Sequence, residues 1–93
     1  MDPDALARAL ERFDGTDAER RVVARQARDL ADSGALERDR GHAPTVETVV
    51  ADLADAPSGG PAERWNWWIG SLEVAYGGYE SFAVRRYETD ERR

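Results

Sequence analysis

Apolar positions recur at helical spacing along most of the chain. Leu6, Leu10 and Phe13 stand at i, i+4 and i+7 and form one stripe. Asp2 and then Pro3 supply an N-cap carboxylate and a proline at the first helical position. A helix is therefore predicted over about 3–13, ended by Asp14-Gly15. Thr16 and Glu19 have the spacing of a capping box, which opens a second helix over 17–33. Its stripe is Val23, Ala27 and Leu30, and Gly34 is its stop. The joining turn is very short, so the two helices are expected as antiparallel neighbours or a sharp corner.

Residues 35–44 show no period and contain Gly41 and Pro44, so they read as a loop with room for one helical turn. Thr45 can cap a third helix over 46–55, where Val46, Val49, Val50 and Leu53 give i, i+3, i+4 and i+7. Three valines slightly favour strand on propensity, but the spacing decides for helix. Ala56 to Gly60 is a break.

Pro61 opens a fourth helix over 61–77. One face carries Trp65, Trp68, Ile69, Leu72, Tyr76 and Tyr79. Trp67 and Val74 lie on a second face with Ser71 between them, and Gly77-Gly78 ends the helix. From Ser81 to Tyr87 the chain alternates with period two, which predicts an extended segment over 81–88 and then a polar tail. A lone strand cannot satisfy its own backbone groups. It is therefore expected to lie across the helices or to pair with its own copy in a second chain. The fold class implied is all-α: a single domain over 1–93 with four helices and a C-terminal extended segment.

Ninety-three residues bury only roughly 60–65% of the surface that the unfolded chain exposes. The core is thin, and dimerisation is a common remedy. There is no cysteine, which excludes disulfides and thiolate metal sites and fits a reducing cytosol. The first residues have neither the basic nor the apolar part of a signal peptide, and no apolar run approaches the roughly 18 residues of a membrane span. A cytoplasmic protein without membrane contact is expected.

The net charge is −6 and every basic residue is an arginine. Side-chain amides are reduced to Gln26 and Asn66. This composition resembles that of halophile proteins, in which dense carboxylates hold water while concentrated salt screens their repulsion. An acidic protein from a GC-rich mesophile is the alternative.

Catalytic chemistry has little to work with. The lone histidine, His42, falls in a loop, and none of the four serines sits in a nucleophile-elbow setting. A zinc site would need three carboxylates or water beside that one imidazole. The run Asp14 to Glu19 suggests a calcium loop, but the fifth and twelfth positions from Asp14 are Ala18 and Arg25. The glycine pairs lack the spacing of a phosphate loop, and there is no Walker lysine. No catalytic residue, metal or cofactor is expected, and the chain is read as a non-enzyme.

Two surfaces remain. Arg21, Arg25 and Arg28 recur at i, i+4 and i+7 along the second helix, and three helices before a strand are compatible with a winged-helix variant. Asp29 and Asp32 interrupt that stripe, and an ion pair Arg25–Asp29 would satisfy part of it. Nucleic-acid binding is therefore the second choice. The first is the aromatic cluster, with three tryptophans in four residues from Trp65 to Trp68. One helix cannot present both tryptophan faces to a single thin layer. Core packing accounts for Trp65, Trp68, Ile69, Leu72 and Tyr76. The surplus, Trp67 and Val74 extended by Tyr79, Phe82, Val84 and Tyr87, is expected to form a protein interface. The expected function is a small interaction or accessory module of a halophile cytosol, most simply a homodimer.

Overall fold

Side chains near each helix start satisfy the N–H groups that a helix leaves free. Asp2 accepts from Asp4 N–H at 3.0 Å. Thr16 Oγ1 accepts from Glu19 N–H at 3.0 Å, and Glu19 Oε1 accepts in return from Thr16 N–H at 3.4 Å. Thr45 and Thr48 make the same reciprocal pair at the next cap. The computed structural model describes residues 1–85. Its helices are α1 (Pro3–Ala9), α2 (Asp17–Ser33), α3 (Ala35–Arg40), α4 (Val46–Ala54) and α5 (Pro61–Tyr76). Short 3-10 turns follow α1 at Leu10–Arg12 and α5 at Glu80–Phe82.

The protein is mostly helical, as the spacing predicts, with three local corrections. The first helix tightens into a 3-10 turn after Ala9, a common way for α-helices to end. Residues 35–40 form α3 rather than a loop. Gly34 and Gly41 bound it with φ of 76° and 89°, and it buries Ala35 and Leu36. The third correction is at the C-terminal end, where no strand occurs among the described residues. Phe82 N–H donates to Tyr79 O at 2.9 Å and Ala83 N–H to Glu80 O at 3.1 Å. Gly77 and Gly78, with φ of 80° and 87°, turn the chain back on itself. A tight turn thus satisfies these donors locally. Residues 86–88 of the expected segment lie outside the described residues.

The core is one cluster drawn from every helix. Helix α5 packs on α2 and α4, and α1 packs on the same two. Leu6, Leu10, Val23, Leu30, Val49, Leu53 and Trp65 are all buried, each large side chain contributing about 1.5–3 kcal/mol. Trp65 and Trp68 meet edge to face with centroids 5.3 Å apart, an arrangement that adds about 0.5–1.5 kcal/mol. Tyr76, expected inside, is 48% exposed. The reversal at Gly77-Gly78 brings Tyr79 into the core instead, and Tyr76 tilts against its ring at 6.2 Å.

Two charged side chains tie helix ends together. Glu19 is buried and uses its second oxygen to accept from Ala62 N–H at 2.8 Å, so one carboxylate caps both α2 and α5. That contact requires close backbone approach, since a Cβ on Gly60 would stand 2.6 Å from Asp14 O. Arg64 donates to Gly59 O, Leu53 O and Ala56 O, and its guanidinium lies 4.5 Å from the centre of the Phe13 ring. It thereby satisfies carbonyls at the end of α4.

Candidate functional site

Helix α5 has two unlike faces. Its inner face buries Trp65, Trp68, Ile69 and Leu72. Its outer face carries Trp67, 42% exposed, and Val74, 90% exposed. Gly70 and Ser71 lie between them and are exposed too. From Trp65 to Tyr76 the only charged residue is Glu73, in a chain of which 34% is charged. Ser71 Oγ donates to Trp67 O at 3.1 Å, so even this hydroxyl is engaged within the helix.

The remaining expected interface residues are elsewhere. Tyr79 is fully buried and Val84 nearly so, both inside the chain's own core, while Phe82 is half-buried. They do not extend the exposed face. Tyr87 lies outside the described residues.

What holds residues 82–84 is a set of side chains from α2 and α5. Trp65 Nε1–H donates to Phe82 O at 2.8 Å. Gln26 Nε2 donates to Ala83 O at 3.3 Å. Asn66 Nδ2 donates to Val84 O at 2.9 Å, and Asn66 Oδ1 accepts from Val84 N–H at 2.8 Å. Three successive carbonyls are thus taken by three side chains. Gln26 and Asn66 have no role in the periodicity of the chain. The one signal that singles them out is that they are its only two amides.

The turn before this segment is held by acids. Glu73 Oε1 accepts from Tyr79 N–H at 2.7 Å and Glu80 N–H at 2.9 Å. The bond from Tyr79 N–H is the main reason the Glu73 carboxyl titrates below its ordinary value. Tyr79 Oη donates to Asp39 Oδ2 at 2.7 Å. Burial, and then this bond, push the phenol up to about 12. Asp39 is held low by the adjoining Arg38 guanidinium and then by the phenol.

Arg21, Arg25 and Arg28 are exposed on α2 and line a shallow depression of about 190 Å³ against α1, with Asp4 on its far wall. The neighbour of Asp29 is Arg28, at 3.7 Å, rather than Arg25. His42 is exposed in the turn after α3. Glu19, at the end of the calcium-loop-like run, is committed to its two caps. Among the described residues no helix is long and apolar enough to cross a membrane.

A helical domain organised around Trp65-Asn66-Trp67-Trp68 on its central helix has a family counterpart. Residues 1–73 match the WNWW domain, and the chain belongs to that family. The family's name spells the tetrapeptide at 65–68. No curated protein and no solved structure matches the chain.

Proposed function

We propose that this protein is a non-enzymatic interaction module that self-associates through the outer face of α5, in the cytosol of a salt-adapted cell. The observation that carries the reading is the contrast between that face and the rest of the surface. A chain of net charge −6 repels its own copy. Between Trp67 and Val74 the one carboxylate is Glu73, which is turned to the Tyr79 and Glu80 N–H groups, so two copies can meet there with little opposing charge. The same stretch also sets a projecting ring beside an open position less than a turn away. Trp67 is a projecting aromatic anchor, and Gly70, with no atom within 4 Å of a notional Cβ, is open space for it. A two-fold contact would seat each Trp67 over the partner's Gly70 and Ser71, an isologous arrangement.

Nucleic acid is the weaker alternative, because the arginine stripe shares its depression with Asp4 and adjoins Asp29. The test is Trp67→Glu, followed by light scattering on a sizing column in molar potassium chloride. The wild type is expected as a dimer. The variant is expected as a monomer with helix content retained, because Trp67 stands outside the buried core cluster. A variant that assembles like the wild type refutes the reading.

A further inference from the structure

The side chains that hold residues 82–84 read almost nothing but main chain. Four hydrogen bonds from Trp65, Gln26 and Asn66 take three carbonyls and one N–H. Ala83, with φ −67° and ψ 147°, has the backbone of a polyproline-type extended peptide. Grooves that bind such peptides use aromatic walls and donors aimed at carbonyls, because the extended backbone leaves its polar groups free. Here the indole N–H, the two amides and a buried seat for Val84 make that combination. In a chain that keeps only two amide side chains, both are spent on this segment. The family match contains Gln26, Trp65 and Asn66 and ends at residue 73, before the segment they hold. A groove of about 360 Å³, lined by Asn66, Ile69, Gly70, Glu73, Glu80 and Ala83, borders the same segment.

We infer that Gln26, Trp65 and Asn66 form a binding site for an extended peptide main chain, with residues 82–84 as its resident ligand. The ligand in trans is the same segment of a second copy. Two features of the chain point to that occupant. The contacts are to backbone, so a second copy reproduces every one of them. The segment also follows Gly77-Gly78, two positive-φ glycines at which the chain can change direction without side-chain strain. The four hydrogen bonds that hold the segment do not involve Trp67, so Trp67→Glu leaves the exchange intact.

The test is nuclear magnetic resonance on the full chain. In a refolded equimolar mixture of isotope-labelled and unlabelled protein, intermolecular Overhauser contacts are expected between the Val84 methyls and the Asn66 amide. They should persist in Trp67→Glu at the high concentration of the resonance experiment, where exchange alone joins two copies, although that variant is expected as a monomer in the dilute sizing experiment. Contacts that are intramolecular alone overturn the exchange, while a dimer lost in Trp67→Glu would still support the outer-face reading.

The site itself is probed with the synthetic peptide GYESFAVR, which copies residues 78–85. Added to the Val84→Asp chain, it should shift the Trp65 indole and both side-chain amides saturably. Adding Asn66→Ala should weaken it at least about tenfold, from the loss of two hydrogen bonds. A peptide with proline in place of Val84, lacking the N–H, should weaken by a similar factor. If Val84→Asp fails to fold, the same titration is made on the wild type with peptide in excess. No saturable shift at those three groups overturns the site.

Discussion

The two faces of α5 are made from the same residue type and meet opposite fates. Trp65 is wholly enclosed and donates its indole N–H to Phe82 O, while Trp67, two residues on, is 42% exposed. Two residues on a helix turn a side chain through about 200°. The difference is therefore one of phase against α2 and α4, and residue type does not enter. The inner face buries Trp65, Trp68, Ile69 and Leu72 and pairs the Trp65 indole with a main-chain carbonyl. The outer face leaves Trp67 42% and Val74 90% exposed, apolar surface that a chain so rich in carboxylates does not need for solubility.

That comparison can be broken most directly by truncating each tryptophan. Trp65→Ala should cost about 3–5 kcal/mol in urea unfolding, since it empties the core and strands the Phe82 carbonyl. Trp67→Ala should change the stability of the dilute monomer by only about 0.5 kcal/mol. Equal losses would mean that Trp67 is packed already. Glu19→Ala comes next. It removes the acceptor shared by the α2 and α5 starts and leaves Ala62 N–H buried, at a cost of about 2–3 kcal/mol in the same assay.

Gly70→Ala sharpens the contrast through its sign. Open space surrounds this helical position, so alanine should stabilise folding by about 0.5–1 kcal/mol. In the proposed dimer the added methyl fills the seat for the partner's Trp67, and association should weaken. A variant that gains in both respects would argue against that seat.

The smallest effect is that of pH. Glu73 and Asp39 titrate below their ordinary values of 4.5 and 3.8, through backbone N–H bonds and through Arg38 respectively. A depressed folded pKa gives stability that is present above the unfolded value and is lost as pH falls through the folded one. The melting temperature should therefore drop as acid is added below the ordinary carboxylate range, and Glu73→Gln should flatten that fall. Tyr79 works in the opposite direction. Raised from 10.0 to about 12, its contribution is full below pH 10 and is lost as pH rises toward 12, and Tyr79→Phe should abolish that alkaline loss.

Four helices were legible because their signals are local. Thr16 with Glu19, Thr45 ahead of Val46, and Pro61 after a glycine pair act within a few residues, and a stripe such as Val46 to Leu53 repeats often enough to show its period. Helix α3 was missed because six residues are too few for a period. Its two bounding glycines, Gly34 and Gly41, were its only trace. Trp67 and Val74 were read correctly as standing apart from the core face. Val84 was placed with them because alternation looks the same whether a segment turns outward or is strapped down, and Tyr79 because nothing local shows where the reversal at Gly77-Gly78 sends it.

By itself the sequence determined helix starts, helix periods, the acidic arginine-only surface and the existence of two tryptophan faces. These depend on neighbours a few residues apart and on composition. Only the tertiary structure decided which face α2 and α4 cover, where the reversal at Gly77-Gly78 sends Tyr79, and what Gln26 and Asn66 are for. Their bonds to Ala83 and Val84 join residues 57 and 18 apart in sequence. A hydrogen bond between one side chain and a distant carbonyl leaves no repeat along the chain to announce it.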